Sequence, residues 1–123
     1  MKTSQPTRAV VILANDGVAN WLAPCLASLR LHSPEIRCVI IPFSDDKLDL
    51  TLKIVKHFNV EVYRPTEVTI IDQLATQLYP GKEWIGCFRK FAAFYLGVDS
   101  VLFSDADIVY LKPVEALFEK FEK

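Results

Sequence analysis

Two aspartates one residue apart, Asp105 and Asp107, lie within the mostly apolar sequence VLFSDADIVYLKP of residues 101–113. If the backbone stays extended through both, their side chains point to the same face. Two ionised carboxylates this close repel each other, so either one keeps its proton or a divalent cation binds them. Mg²⁺ and Mn²⁺ prefer oxygen ligands, and Mg²⁺ is usually held by one or two carboxylates together with substrate phosphates. The pair predicts a Mn²⁺ or Mg²⁺ site; the simpler alternative is a turn in which Asp107 caps a neighbouring group.

The elements that must position these carboxylates follow from the apolar pattern. Continuous β-branched runs that end in turn formers predict strands, and apolar residues at helical spacing predict helices. The predicted strands are residues 8–16, 36–46, 60–65 and 98–107, and the predicted helices are residues 18–35, 48–58, 66–78, 85–97 and 113–121. Apolar strands that alternate with helices indicate one α/β domain over residues 1–123, with a mainly parallel sheet and helices on both faces.

Polar side chains follow the predicted strands at the edge of the sheet where ligands bind in folds of this kind. The first strand ends at Asn15 and Asp16, the second ends at Asp45 and Asp46, and the fourth ends at the aspartate pair. One interpretation is a ligand site at this edge. The other is local, because Asp45 and Asp46 precede a helix and are expected to cap it, and the Asn-Asp-Gly sequence after the first strand is a common turn.

Composition disfavours several classes of function. A formal net charge of -1 gives no electrostatic basis for binding nucleic acid or an anionic membrane. No apolar run approaches the ~20 residues of a membrane span, and the first one is too short for the core of a signal peptide. Cys25, Cys38 and Cys87 form no CxxC pair, which is typical of reduced, mostly buried thiols in a cytoplasmic protein.

Residues 88–119, FRKFAAFYLGVDSVLFSDADIVYLKPVEALFE, resemble the central segment of nucleotide-sugar glycosyltransferases of the GT-A fold. The likeness is closest to the glycogenin and lipopolysaccharide galactosyl- and glucosyltransferase group (family 8-like), in which a helix with a basic residue precedes a strand with a DxD motif. Residues 8–41 are similar to the opening strand, turn, helix and strand of that group. The resemblance implies a Rossmann-like GT-A fold and metal-dependent transfer of a hexose from a nucleotide-sugar donor, most often a UDP-sugar.

The resemblance also implies roles at the DxD motif and on the helix before it. Asp105 and Asp107 match the carboxylates that hold Mn²⁺ or Mg²⁺ on the donor's diphosphate. Ala106 matches the middle position, whose backbone lies near the ribose. Lys90 matches a basic position that faces the donor, although a solvated lysine at the helix edge is an equal alternative. Its neighbour Arg89 is expected at the surface.

The turn after the first strand has a corresponding role in the group that the chain resembles. Ala14, Asn15 and Asp16 match residues that line the nucleotide pocket. Asp45 and Asp46 lie where some relatives place an acidic residue near the base. The residues of this chain do not themselves specify the base, the sugar, the acceptor or the stereochemistry.

The sequence also departs from the pattern of that group. It ends soon after the helix of residues 113–121, before the half that normally supplies the acceptor site, catalytic support and a further metal ligand. The isolated chain is therefore expected to transfer little or no sugar, and an uncovered sheet edge is expected to favour self-association. The alternative is a noncatalytic nucleotide-binding or scaffold module of glycosyltransferase descent. A phospho-acceptor receiver domain is disfavoured, because it needs its acidic pair after the first strand and not after the fourth.

Overall fold

The computed structural model describes residues 5–122 and shows an α/β fold built on a four-stranded, all-parallel sheet. The strands, in the spatial order β3-β2-β1-β4, are β1 (Arg8–Ala14), β2 (Cys38–Pro42), β3 (Glu61–Val62) and β4 (Ser100–Ser104). The α-helices are α1 (Ala19–His32), α2 (Asp49–His57), α3 (Glu67–Leu78) and α4 (Glu115–Phe121), and 3₁₀ helices cover Asp16–Val18 and Glu83–Tyr95. The predicted parallel α/β architecture is confirmed.

The two central strands contribute side chains alternately to two apolar clusters, one on each face of the sheet. Val10 and Ile12 belong to the cluster that α1, α2 and α4 cover. Val11 and Ile41 belong to the cluster covered by α3 and the 3₁₀ helix Glu83–Tyr95. Burial on both faces explains why β1 and β2 are continuously apolar instead of alternating. The predicted helices on both faces are confirmed.

The strand β4 lies at one edge of the sheet and differs from the central strands. It pairs in register with β1, with Arg8 beside Ser100 and Ile12 beside Ser104. Its side chains are half-buried or exposed, whereas every residue of β2 is buried. Although β4 is apolar in sequence, residues 5–122 do not fully bury its side chains.

The segment between α3 and β4 is a 3₁₀ helix that extends from Glu83 to Tyr95, and not the α-helical segment expected from residue 85 onward. In a 3₁₀ helix, side chains at i and i+3 eclipse each other. The rings of Phe88, Phe91 and Phe94 accordingly stack with 6.4 Å between successive centroids. The opposite side of this helix is buried against the sheet through small residues, among them Ala92 and Ala93.

The three cysteines are free thiols, and Cys25 and Cys38 are buried while Cys87 is half-buried. This agrees with the expectation of mostly buried thiols. Burial raises the pKa of Cys25 to about 11 and that of Cys38 to about 12, so both are protonated at neutral pH. Within residues 5–122, no helix has the length and apolar character needed to cross a membrane.

Candidate functional site

The carboxyl ends of β1 and β4 form a small cavity of about 180 Å³ together with the 3₁₀ helix Glu83–Tyr95. Three residues predicted for donor binding line it: Lys90, Asp105 and Ala106. The apolar side of the cavity includes Leu13 and Phe103. The other predicted residues, Ala14, Asn15, Asp16 and Asp107, are not among those that line it. The structure therefore brings together the basic helix position and the first half of the DxD motif.

The backbone at the DxD motif turns instead of continuing the strand. β4 ends at Ser104, and Ala106 and Asp107 lie in a turn. The condition of an extended backbone, under which both carboxylates share one face, is therefore not met. Asp105 and Asp107 are exposed, while Ala106 is buried in the cluster beneath α1. The Asp105 carbonyl oxygen accepts hydrogen bonds from the thiol of Cys25 at 3.8 Å and from the Ser104 hydroxyl at 3.1 Å.

The two exposed carboxylates fit a hard divalent cation in their chemistry, because ionised carboxylates offer only acceptor oxygens. Within residues 5–122, no group of three or more His, Cys, Asp or Glu side chains is arranged to hold a metal ion. A cation at Asp105 and Asp107 would therefore have no third carboxylate, imidazole or thiolate ligand from this part of the chain. Phosphate oxygens and water are the usual additional ligands of Mg²⁺.

The turn after β1 connects two neighbouring strand ends. Ala14 is buried, and its carbonyl accepts a hydrogen bond from the Phe43 N–H at 2.9 Å. The Asn15 side chain accepts from the Gly17 N–H at 2.9 Å and donates to the Ser44 hydroxyl at 3.2 Å. Ala14 and Asn15, two of the three residues predicted for the nucleotide pocket, thus position the loop after β2, so a structural role accounts for their hydrogen bonds.

Asp16 caps a helix that is distant in sequence. Its Oδ1 accepts hydrogen bonds from the backbone N–H and the hydroxyl of Thr51, each at 2.8 Å, at the first turn of α2. No local sequence pattern identifies this cap, because α2 begins after a whole helix and strand have intervened. Burial raises the pKa of Asp16, but hydrogen bonds from Thr51 and from the backbone of Leu50 and Asp49 outweigh it, so the net pKa is lowered.

We expect Asp16→Ala to lower the melting temperature at neutral pH, since it leaves N–H groups of the first turn of α2 without their acceptor. A group whose folded-state pKa is lowered stabilises the fold above its unfolded pKa and loses this contribution as the pH falls. The difference from the wild type should therefore shrink below about pH 4. Thermal unfolding followed by circular dichroism across this range tests the cap. Asp16→Asn, which keeps an acceptor oxygen, should lower the melting temperature less than Asp16→Ala does. Equal decreases for both variants would contradict the capping role of Asp16.

Arg89 is buried, with 5% of its side chain exposed, and the expectation of a surface residue is wrong. Its Nε and Nη2 donate to the two carboxylate oxygens of Asp72 at 3.0 and 2.7 Å. Its Nη1 donates to the Pro42 carbonyl at 3.0 Å and to Asp45 Oδ1 at 3.1 Å. Arg64 holds both oxygens of Asp45 at 2.8 and 3.0 Å, so Asp45 is ion-paired and the prediction that it caps a helix is wrong.

This cluster of Arg64, Arg89, Asp45 and Asp72 connects the 3₁₀ helix with α3 and with the loops after β2 and β3. Hydrogen bonds from Arg64 and Arg89 hold the pKa of Asp45 well below its ordinary value, so the carboxylate stays ionised at neutral pH. The sequence placed Arg64 at the end of the third predicted strand without assigning it a partner, and it gave no role to Asp72. The one available signal was an arginine in a mostly apolar helical segment, which requires hydrogen-bond acceptors if it faces inward.

Compared with known proteins, the chain matches no protein-family model and no curated protein at the level that would indicate a relative.

Proposed function

We propose that this chain is the nucleotide-sugar-binding half of a metal-dependent GT-A glycosyltransferase and that Asp105-Ala106-Asp107 binds the diphosphate end of the donor. The observation that supports this most directly is the cavity lined jointly by Lys90, Asp105 and Ala106. Lys90 comes from the 3₁₀ helix whereas Asp105 and Ala106 follow β4, and the resemblance assigns all three to the donor. Their position at the carboxyl ends of parallel strands is where ligands bind in open α/β sheets.

The charges around the cavity are suited to a metal-bound diphosphate. Lys90 is exposed and can donate to phosphate oxygens, whereas Asp105 and Asp107 repel phosphate unless a cation binds them. A bound Mn²⁺ or Mg²⁺ would neutralise negative charge on the departing nucleoside diphosphate, as a Lewis acid does without proton transfer. Lys90 would hold the phosphate oxygens, and Asp105 and Asp107 would hold the cation.

The size of the cavity indicates which part of the donor it would hold. Its volume of about 180 Å³ lies below the range of roughly 300–1,000 Å³ typical of pockets for whole ligands. A diphosphate with its cation fits this cavity better than a complete nucleotide sugar does. The nucleoside would then extend over the neighbouring strand ends, towards Asn15 and the loop after β2.

A noncatalytic nucleotide-binding or scaffold module of the same descent is the second candidate. It is favoured by the engagement of two predicted acidic residues in structural bonds, Asp16 with Thr51 and Asp45 with two arginines. Both candidates bind the donor, and only the first belongs to an enzyme that transfers its sugar. Release of UDP from UDP-glucose in the presence of Mn²⁺, beyond the rate without protein, would favour the enzyme, whereas donor binding without release is expected of the isolated chain under both candidates.

Calorimetric titration of UDP into the chain, with and without Mn²⁺, tests the proposed site. We expect binding that requires the metal in the wild type and is weakened more than about tenfold in Asp105→Asn/Asp107→Asn, because the variant removes both anionic ligands. Glu35→Gln/Glu119→Gln is the control, since it removes the same charge at two exposed positions elsewhere. Equal binding by the two double variants, or no binding by the folded wild type, would contradict the proposal.

Lys90→Met is expected to weaken UDP binding in the presence of Mn²⁺ by about tenfold, because a charged hydrogen-bond donor to the phosphate is lost. The long apolar side chain of methionine keeps the packing of the lysine stem. Lys53→Met, at an exposed position on α2, is the matched control. Unchanged affinity in Lys90→Met would place this lysine at the solvated edge of the helix, as the simpler interpretation holds.

A further inference from the structure

The outer edge of β4 has unpaired backbone groups in the part of the chain that the structure describes. β4 pairs with β1 on its inner side, where the Ser100 N–H donates to the Thr7 carbonyl at 3.0 Å. Backbone groups of successive residues point to opposite sides of a strand, so every second residue from Ser100 faces β1. The N–H and C=O groups of Val101 and Phe103 therefore point outward, where another strand can pair with them.

An apolar groove follows this edge on the side of α4. It consists of two adjoining cavities of about 270 and 480 Å³ that share Leu102 and Leu117 as lining residues. The first is also lined by Phe121, and the second by Phe103 and Ile108. Phe121 is 76% exposed and Phe103 is 43% exposed, so the strand edge and the groove together form one exposed apolar surface.

We propose that this surface binds the same surface of a second copy of the chain, with the two β4 strands antiparallel about a twofold axis at Leu102. In this register Val101 lies opposite Phe103 of the second copy. Both residues point their backbone groups outward, so the pair exchanges both of its N–H···O=C bonds. The twofold axis repeats this pair on the other side of Leu102. The two sheets then form one continuous sheet.

The occupant is a second copy because β4 is complementary to itself in this register. Its sequence, Ser-Val-Leu-Phe-Ser, places serine opposite serine, valine opposite phenylalanine and leucine opposite leucine. Such polar–polar and aromatic–aliphatic pairs stabilise antiparallel strands. The strand has no proline and no charged side chain, the features with which edge strands usually prevent pairing with their own copies.

The exposed apolar area agrees with a weak dimer. Phe103, Leu117 and Phe121 are 43%, 43% and 76% exposed. Because one large aromatic side chain buries ~150–250 Å², these three side chains offer roughly 300 Å² per copy, less than half of the ~800 Å² of a standard interface. Asp99 and Asp105 flank the strand and come opposite each other between copies, and this like-charge contact also limits the affinity. We therefore expect dimerisation that depends on protein concentration.

Sedimentation equilibrium over a wide range of protein concentration tests this dimer. The wild type should shift from the 14.0 kDa monomer towards twice that mass as the concentration rises. Val101→Pro removes an outward N–H that takes no part in pairing with β1, and Phe121→Glu places a charge in the groove. Each should raise the dissociation constant of the dimer by about tenfold or more. Leu78→Glu, at a position on α3 that is 69% exposed, should leave it unchanged.

Hydrogen exchange provides a readout that does not depend on a variant. The amides of Val101 and Phe103 should gain protection with protein concentration, whereas those of Leu102 and Ser104 are already protected by β1. A wild type that stays at monomer mass at the highest concentration overturns the proposal, as would a dimer in which these two amides exchange as fast as in the monomer. If the edge instead binds a segment of a longer protein, the wild type should stay at monomer mass.

Discussion

Arg89→Met is expected to lower the free energy of unfolding by about 3 kcal/mol, because removing one partner of a buried ion pair leaves the other without compensation. Arg89 is 5% exposed and bonds to Asp72, Asp45 and the Pro42 carbonyl. Its carboxylate partners are partly exposed and regain some hydration when Arg89 is removed. The decrease in the free energy of unfolding therefore stays below the largest values for buried ion pairs. Urea unfolding followed by circular dichroism measures the difference.

Arg37→Met is the matched control, since it makes the same chemical change at an ion pair with Glu61 in which both side chains are well exposed. Exposed pairs contribute about 0–1 kcal/mol, so this variant should stay close to the wild type. Arg89→Lys keeps the charge but lacks the planar fork that bonds both oxygens of Asp72, so it should be destabilised to an intermediate extent. Similar losses in Arg37→Met and Arg89→Met would show that burial of Arg89 does not matter.

The pH dependence of the Arg89→Met variant has a definite sign. The pKa of Asp45 is lowered by its hydrogen bonds to Arg64 and Arg89. The stabilisation from this carboxylate is therefore present above its unfolded pKa of about 4 and is lost as the pH falls through the lowered pKa. The difference in stability between wild type and Arg89→Met should be largest at neutral pH and should decrease in acid. A difference that grows in acid would contradict the ion-pair account.

The sequence predicted the fold where the signal was local and repeated. Continuous apolar runs such as Val10 to Ile12 identified β1, and the amphipathic pattern identified α2, because burial on both faces or on one face fixes which residues must be apolar. The alternation of strands and helices then predicted a parallel sheet covered on both faces, and the structure confirms it. An apolar run does not show whether its side chains are buried within the same chain. The apolar strand β4, which is half-buried or exposed, is an example.

The site was predictable only in part, because its residues depend on partners distant in the sequence. Lys90, Asp105 and Ala106, which the resemblance assigns to the donor, line one cavity. Arg89 and Asp45 were misassigned because each bonds to a residue in another element. The turn at the DxD motif was only the alternative interpretation, because the local sequence does not show the residue at which a strand ends. Tertiary contacts, and not propensities, decide these positions.

Gly86→Ala is expected to destabilise the fold by about 1–3 kcal/mol, because a well-packed position has no room for an added methyl group. A Cβ at Gly86 would lie 2.4 Å from the Phe43 carbonyl oxygen and 2.9 Å from two atoms of the Phe43 ring. The Phe43 backbone cannot easily yield, since its N–H is bonded to the Ala14 carbonyl at the end of β1. The 3₁₀ helix would have to move away from the sheet, and urea unfolding measures the cost.

The same movement should affect the candidate site, because Lys90 and Arg89 lie on the 3₁₀ helix that Gly86 brings close to β2. We expect folded Gly86→Ala to bind UDP and Mn²⁺ more weakly than the wild type, although Gly86 does not line the cavity. Glu83→Ala, at an exposed position on the same helix, controls for substitution in this segment and should change neither stability nor binding appreciably. If Gly86→Ala loses stability but binds the nucleotide normally, the close approach of the helix is needed for folding and not for binding.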